Sequence, residues 1–266
     1  MLLTVAIKAQ SQKIEDYLSP AFPTGLIANH AGTKVAWVFN EKGVRNIYYG
    51  DPQANKFEML TQFKADDGVE INSLQFSPND ENIYFVKGNT TNTKGEAANP
   101  AQLQNSTEQV IYALTITTRE IKKIVKGSAY TLSPNGGLLL FSQAGKAWKV
   151  NLEKESPVAE SLFMARGNIS GLRFNSAGTH VSFISTRDEH AFIGVYSLAN
   201  NAVQYLDPST YVDSDPIWNL DGTQIAFIRR PYIRHDVLFD PKPSSQQPWQ
   251  LKIANLSSGK AETLFT

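Results

Sequence analysis

A five-fold internal repeat is the feature that most constrains the fold of this 266-residue chain. In each copy an apolar residue precedes a short polar turn that ends in Gly or Asp. The turns end at Gly32, Asp80, Gly136, Gly178 and Gly222, so successive copies lie 48, 56, 42 and 44 residues apart. Periods of this size are typical of propeller blades or of paired-helix repeats.

Two apolar residues follow each turn, three and five positions after its last residue. We call them the repeat pairs: Val35 and Trp37, Ile83 and Phe85, Leu139 and Phe141, Val181 and Phe183, and Ile225 and Phe227. The segments that carry them are rich in β-branched and aromatic residues, which favours strands over helices. The turns fit hairpins, because Gly supplies a positive φ and Asn or Asp tolerates it.

Each copy contains two more predicted strands. The third strands are Asn46–Tyr49, Gln109–Leu114, Ala147–Asn151, Phe192–Ser197 and Gln250–Ala254, and the fourth are Phe57–Thr61, Glu120–Val125, Ala159–Met164, Val203–Leu206 and Ala261–Phe265. Four antiparallel strands per copy make a propeller blade. A single β-sandwich with regular hairpins is the alternative, and we disfavour it because sandwiches lack this repeat.

The chain is thus predicted to be an all-β propeller of four-stranded antiparallel blades, five of them visible. The blades are predicted at about 22–63, 70–126, 128–165, 168–208 and 213–266. Residues 1–21 are predicted to be either a signal-peptide remnant or a closing strand. Because the chain stops directly after a predicted strand, we expect it to be part of a larger propeller. Such a fragment exposes apolar faces and edge strands, which predicts self-association.

The amino-acid composition argues against several classes of partner and cofactor. Lys plus Arg equals Asp plus Glu at 25 each, which argues against nucleic acid as a partner. The absence of cysteine excludes disulfides and thiolate metal sites. No apolar stretch is long enough to span a membrane. We expect no cofactor and no metal, because four scattered histidines do not supply the ligand set of a metal-binding, lyase-like propeller.

Three stretches carry a resemblance to a known family: Gly95–Ile111, Arg187–Tyr196 and Asp213–Pro231. With the repeat, they resemble the WD-like repeats of TolB-type propellers and, more closely, the N-terminal propeller of prolyl oligopeptidase family serine peptidases of the bacterial dipeptidyl-peptidase type. In that family the propeller precedes an α/β-hydrolase domain and restricts which peptides reach the catalytic serine. The resemblance therefore implies two partners, a peptide substrate and a C-terminal α/β-hydrolase domain.

The chain departs from that family at the catalytic serine. No Gly-x-Ser-x-Gly sequence occurs, and the nearest string, at residues 167–171, has the wrong spacing for a nucleophile elbow. We therefore predict no catalytic residue in this chain, and we expect serine-type peptidase activity only of a longer parent.

Candidate binding residues cluster at the connections between the second and third strands of the blades. Blade two carries an insertion at Gly88–Glu108, and the last blade continues into Pro231–Trp249. Function on scaffold folds tends to lie on such loops. The predicted substrate-binding residues are Arg187, Asp188, Glu189, His190, Arg229 and Arg230.

Two readings of these residues stay open. The arginines can hold a peptide carboxylate or carbonyl in forked geometry. The resemblance implies that Asp188 and Glu189 pair with a peptide amino terminus. Alternatively, Arg187 and Asp188 tie one blade to the next, and Arg229 packs with Arg230 under the insertion.

We therefore expect a substrate-gating propeller of a serine peptidase that acts on short peptides. The alternative is a non-enzymatic, TolB-like scaffold that binds a protein on the same face. A periplasmic or secreted location is favoured over a cytoplasmic one.

Overall fold

The computed structural model describes residues 21–92, 94–104, 107–232 and 248–266. The predicted N-terminal segment lies outside the described residues up to residue 20, and so do residues 233–247 of the segment after the last arginines. The described part of the chain forms strands and contains no helix that could cross a membrane.

Twenty strands follow one another along the described chain. They are β1 Phe22–Ala28, β2 Val35–Glu41, β3 Val44–Asp51, β4 Lys56–Met59, β5 Ile71–Phe76, β6 Asn82–Lys87, β7 Val110–Thr115, β8 Ile121–Lys126, β9 Ser128–Leu132, β10 Leu138–Gln143, β11 Lys146–Asn151, β12 Ala159–Phe163, β13 Asn168–Phe174, β14 His180–Arg187, β15 His190–Ser197, β16 Ala202–Tyr205, β17 Val212–Trp218, β18 Gln224–Arg230, β19 Gln250–Asn255 and β20 Ala261–Phe265.

Consecutive strands pair in groups of four, which we number blades 1 to 5. The orders are β1-β2-β3-β4, β5-β6-β7-β8 and β9-β10-β11-β12, and then β13-β14-β15-β16 and β17-β18-β19-β20. The predicted all-β architecture of four-stranded antiparallel blades is confirmed. Blades 4 and 5 form one continuous sheet, because a single parallel bridge joins Ala191 to Val212. The Ala191 amide donates to the Tyr211 carbonyl at 3.2 Å beside this bridge.

The chain divides into two compact units. Unit 1 takes the described parts of Met1–Gln75 and Lys87–Glu108, with blade 1, most of β5 and the insertion of blade 2. Unit 2 takes Phe76–Val86 and the described part of Gln109–Thr266, with blades 3 to 5. The predicted domain boundaries stay a prediction.

The repeated turn has a repeated hydrogen-bonding pattern. Its first residue, Asn in blades 1, 4 and 5 and Ser in blades 2 and 3, accepts backbone amides from the far side of the turn with its side chain. In blade 4, Asn175 Oδ1 accepts the amides of Thr179 and His180 at 2.9 and 3.0 Å. The last turn residue is left-handed in every copy, with φ of 58° at Asp80 and 67° at Gly178. Glycine adopts that conformation without steric cost, and Asp tolerates it.

Apolar cores in unit 2 lie between consecutive blades. We call the sheet face that carries the repeat pair the repeat face, and the other side the opposite face. Each core joins the repeat face of one blade to the opposite face of the blade before it. The three cores contain Leu139, Phe141 and Val150 against Tyr84, Val86 and Ile111; Val181, Phe183 and Tyr196 against Leu140, Ala147 and Phe163; and Ile225, Phe227 and Ala254 against Ile193, Val195 and Leu206.

Blade 1 breaks this pattern. The repeat pairs of blades 2 to 5 are buried, whereas Val35 and Trp37 are half-buried. The opposite face of blade 1 is buried as it is in blades 2 to 4, with Ala36, Val38 and Ile47 at most 1% exposed, so blade 1 differs only in its repeat face. The same sequence positions therefore differ in burial between the two units.

Candidate functional site

The tip of the β14–β15 hairpin carries four of the predicted binding residues. Arg187 pairs with His190 across the two strands, so Asp188 and Glu189 form a two-residue turn. Asp188 is left-handed, with φ of 43°, a conformation that Asp tolerates better than most residues. Both carboxylates of the turn are exposed.

Arg187 is held by cation–π contacts with two aromatic rings. Its guanidinium carbon lies 4.7 Å from the ring centroid of Phe192 and 4.8 Å from that of Tyr205. Its Nε donates to the Arg166 carbonyl at 3.1 Å and to Ser185 Oγ at 3.2 Å. The two terminal nitrogens have no hydrogen-bond partner among the residues that the structure describes. Arg187 therefore presents a fixed, half-buried cation whose forked end can bind a ligand.

Arg229 is buried and almost fully bonded within the protein. Its Nε and Nη2 donate to the two carboxylate oxygens of Asp213 at 2.7 and 2.9 Å. Nη1 donates to Asp207 Oδ2 at 2.8 Å, and Nη2 also donates to the Asp207 carbonyl at 2.6 Å. The contact that we predicted between Arg229 and a substrate stays a prediction, but the observed geometry ties the end of blade 4 to blade 5.

Burial and pairing act in opposite directions on this cluster. Burial acts to lower the pKa of Arg229, but the hydrogen bonds and charges of Asp213 and Asp207 outweigh it and hold that pKa above its ordinary value. Burial raises the pKa of the Asp213 carboxyl, and the Arg229 guanidinium opposes that rise. Lys252 adds a further cation, with Nζ 3.3 Å from Asp207 Oδ2. We infer that the bidentate pair is charged, because Arg does not lose its proton in proteins.

Asp207, Asp213 and Lys252 were not among the predicted site residues. The sequence did indicate that Arg229 is buried. It follows Ile225 and Phe227 at alternating positions of one strand, so its side chain lies on their buried face. A buried guanidinium requires carboxylate partners. Which carboxylates they are depends on how blade 5 meets the end of blade 4, and the strand pattern does not contain that information.

In blades 2, 4 and 5, the residue seven positions after the turn end contacts the link before its own blade. In blade 2, Lys87 Nζ lies 3.1 Å from Asp67 Oδ2. In blade 4, Ser185 Oγ donates to the Arg166 carbonyl at 2.5 Å. In blade 5 this residue is Arg229. These contacts fix the links that enter blades 2, 4 and 5.

A cleft of about 420 Å³ lies between blades 4 and 5. The β14–β15 tip lines it with Thr186, Asp188 and His190, and blade 5 lines it with Arg230 and Tyr232. We call it the blade 4–5 cleft. Its volume is within the range of small-molecule sites. Three of the predicted residues thus come together on one cavity, with an exposed carboxylate and an exposed guanidinium facing the same space.

Arg230 is accessible in this cleft, unlike its neighbour Arg229. Its Nη2 donates to Ser214 Oγ at 3.3 Å and lies 4.0 Å from Asp215 Oδ2. The Arg230 side chain is 51% exposed, so solvent screens the contact with Asp215. A ligand carboxylate can compete for this guanidinium.

A second cleft of about 370 Å³ lies on the other side of the hairpin tip. Arg187 lines it together with Asp188 and His190, which also line the blade 4–5 cleft. Glu189 projects at the tip between strands and lines neither of the two clefts. The hairpin tip therefore separates two cavities that share the Asp188 carboxylate, and of the two the cleft beside Arg187 has the more polar lining.

The clefts contain side chains suited to binding. Ser170 also lines the blade 4–5 cleft, but in the described part of the chain no hydrogen bond joins it to His190. Nor do the described residues contain a group of three or more His, Asp or Glu placed to hold a metal ion. The blade 4–5 cleft offers a ligand the carboxylate of Asp188, the guanidinium of Arg230, several hydroxyl groups and the imidazole ring of His190.

The insertion of blade 2 is a separate structure within unit 1. Asn89 is buried at its base, donating to the carbonyls of Gly68 and Ala98 at 3.2 and 2.7 Å and accepting the Glu70 amide at 3.1 Å. Thr107 Oγ1 also donates to the Ala98 carbonyl, at 2.8 Å. The start of the insertion is thus anchored to the link before blade 2, and its end is bonded to the insertion's own residue Ala98.

Comparison with solved structures identifies the fold. TolB from Acinetobacter baumannii superimposes on the chain with a TM-score of 0.56 at 17% identity, over 88% of this chain and 53% of that one. The fold is a β-propeller. Prolyl oligopeptidase B from Galerina marginata matches with a TM-score of 0.66 at 12% identity, over 91% of this propeller and 34% of that chain. Porphyromonas gingivalis dipeptidyl peptidase 4 matches with 0.60 at 11%, over 91% and 38%.

These similarities confirm that the propeller resembles those of TolB and of the prolyl oligopeptidase family. The chain spans about half of the TolB chain and little more than a third of each peptidase. No protein-family model matches the sequence, and no curated protein matches it. At identities this low the similarity shows the fold alone.

Proposed function

We propose that this propeller binds short peptides in the blade 4–5 cleft and thereby controls their access to the catalytic domain of a serine peptidase. The observation that carries the proposal is the cleft itself, where Asp188 and Arg230 line one cavity of about 420 Å³. A short peptide has one positive and one negative end, so opposite charges in one cavity suit it.

The chemistry assigns a role to each charged group. Asp188 accepts hydrogen bonds from the peptide ammonium, and Arg230 donates to a carboxylate or carbonyl. Charge-assisted hydrogen bonds of this kind contribute about 1.5–3 kcal/mol each, and less where water reaches them. Arg187 serves the second cleft in the same way, because its cation–π contacts with Phe192 and Tyr205 hold the guanidinium in place.

The buried cluster around Arg229 supports the cleft without contacting the peptide. Asp213 lines the cleft with its backbone neighbours, and its carboxylate is committed to Arg229. The Arg229–Asp213 pair keeps the start of β17 and the end of β18 together, and Arg230 follows directly. A rigid wall of this kind reduces the entropy lost when a ligand binds.

The gating role rests on the structural similarity to the two peptidases, and the catalytic domain belongs to the proposal. The TolB-like scaffold is the competing function. A location outside the cytoplasm also stays a prediction.

Peptide binding by this chain tests the proposal. We would titrate the chain with a free tripeptide and with the same tripeptide acetylated at its amino terminus, by isothermal calorimetry. We expect the free peptide to bind, Asp188→Asn to weaken it about tenfold, and acetylation to weaken it by a similar factor. Glu120→Gln removes an exposed carboxylate of blade 2 and serves as the matched control.

Two outcomes distinguish the functions. If Asp188→Asn raises KM for dipeptidyl chromogenic amides in a longer gene product while kcat is unchanged, the gating role is supported. If the folded chain binds neither peptide, the peptide-binding function is wrong and the scaffold is favoured.

A further inference from the structure

The second cleft, on the Arg187 side of the hairpin tip, has an excess of positive charge. Arg166 and Arg187 line it, and Asp188 is the one carboxylate among the described residues that do so. Asn168 adds a side-chain amide, which can also donate hydrogen bonds. The lining of this cleft therefore suits an anionic group.

The Arg187 guanidinium is held in place while its forked end stays available. Its Nε is used by hydrogen bonds within the protein, whereas Nη1 and Nη2 have no hydrogen-bond partner in the described part of the chain. Gly167 packs directly against the stem of this side chain, because a Cβ at that position would lie 2.7 Å from Arg187 Cγ. A guanidinium that is already fixed loses less entropy when it binds a carboxylate than a free side chain does.

Asp188 lies at the boundary between the two clefts, because it lines both. A peptide whose ammonium binds Asp188 and whose chain follows the blade 4–5 cleft toward Arg230 places its first side chain nearest the second cleft. That side chain branches from the same carbon that carries the ammonium. Once the ammonium neutralises Asp188, the two guanidiniums of the second cleft have no counter-charge among the described lining residues. An acidic first side chain supplies one.

We propose that the second cleft recognises a carboxylate on the first side chain of the peptide, so that the propeller prefers peptides that begin with glutamate. This inference rests on the proposed function, because it requires the peptide ammonium to bind Asp188. Arg187 Cζ lies over the ring of Phe192, which pairs with Ser185. The guanidinium is therefore about 7 Å back along the strand from the Arg187 backbone, since a strand rises about 3.3 Å per residue. Glutamate reaches further toward it than aspartate does.

Calorimetric titration with two matched peptides tests this inference. The peptides are Glu-Ala-Ala and Gln-Ala-Ala, and mass spectrometry confirms that both keep a free amino terminus. We expect the wild type to bind the glutamate peptide about tenfold more tightly, because a forked pair between guanidinium and carboxylate forms only with that peptide.

Two arginine variants locate the contact. Arg187→Met removes the guanidinium but keeps an unbranched side chain against the rings, and it should bring the ratio of the two affinities close to one. Arg173→Met changes an exposed arginine of the same blade that lines neither cleft, so it is the matched control and should keep the ratio. Circular dichroism checks that both variants fold.

The outcomes separate this inference from the proposed function. If the wild type binds both peptides equally and Asp188→Asn weakens both, peptide binding stands and the preference for glutamate is wrong. A preference that Arg230→Met removes and Arg187→Met leaves also overturns the inference, because the carboxylate then binds in the blade 4–5 cleft. If the folded wild type binds neither peptide, the proposed function and this inference both fail.

Discussion

The repeat pairs of blades 5 and 1 occupy the same sequence positions in different environments. Ile225 and Phe227 are at most 1% exposed, because blade 4 packs on them. Val35 and Trp37 are half-buried on a face that also carries the exposed side chains of Phe57 and Met59. The repeat therefore specifies the strand and the turn locally, whereas the burial of the repeat pair depends on a neighbouring sheet that packs on it.

The largest expected difference is between truncations at these two positions. Phe227→Ala leaves a cavity between blades 4 and 5, so we expect it to lower the free energy of unfolding by about 3–5 kcal/mol. Trp37→Ala removes a ring that is partly in water, and we expect a loss of about 1–2 kcal/mol. Denaturant unfolding of both variants, at a concentration where the chain is monomeric, checks this. Equal losses would mean that Trp37 is as well packed within the monomer as Phe227 is.

The two neighbouring arginines of β18 give the next comparison. Arg229→Met leaves the buried Asp213 carboxylate without its partner, and we expect a loss of about 3 kcal/mol in stability. Arg230→Met removes an exposed side chain and is the matched control, with an expected change below about 0.5 kcal/mol. The double variant Asp213→Leu with Arg229→Met should regain part of the loss, because no charge is left buried. A similar loss for both single variants would contradict the structural role of Arg229.

The repeated turn is expected to contribute less to stability than the buried arginine cluster does. Asn175→Ala removes the acceptor of the Thr179 and His180 amides, and we expect a loss of about 1–2 kcal/mol in thermal unfolding measurements. Asn200→Ala, at an exposed turn of the same blade, should change stability by less than about 0.5 kcal/mol. If the two variants behaved alike, the repeated Asn or Ser would have another purpose.

The smallest expected effect comes from the ion pair in unit 1 that corresponds to the Arg229 cluster. Burial acts to raise the pKa of Asp67, but the Val69 amide and the Lys87 ammonium lower it below its ordinary value. Stability from this carboxylate is therefore present above about pH 3.9, its unfolded pKa, and is lost as pH falls through its lower folded pKa.

Because the Asp67–Lys87 pair is partly exposed, its contribution is expected to be below about 1 kcal/mol. Asp67→Asn should thus reduce stability at neutral pH by that amount and flatten the acid limb of the stability profile. Asp66→Asn, next to it, is the control. An unchanged acid limb in Asp67→Asn would show that the pair contributes nothing.

The sequence predicted the parts of the fold that depend on local chemistry. The turn requires Gly or Asp at a left-handed position, and Asp80 and Gly178 show it in two copies. The alternating strands after the turn are also readable, although the fourth strand of blade 1 ends at Met59 rather than at the predicted Thr61. These features need no knowledge of the neighbouring blades.

The candidate site was only partly readable from sequence. The tip of the β14–β15 hairpin was predicted because polar residues interrupt a strand pattern at Asp188. The Arg229 cluster was missed because Asp207 and Asp213 reach the guanidinium from different blades. Their convergence depends on tertiary packing, which alternation along one strand does not reveal. The binding roles of the predicted residues stay predictions.

Mapping a peptide onto the chain by NMR tests the central claim most directly. The backbone amides would be assigned at a concentration where the protein is monomeric, and the free tripeptide would be added. We predict saturable amide shifts at residues that line the blade 4–5 cleft, namely Thr186, Asp188, His190, Ala191, Val212, Asp213, Ser214, Arg230 and Tyr232. Shifts confined to the insertion of blade 2, or no shifts in a folded chain, would contradict peptide binding in this cleft.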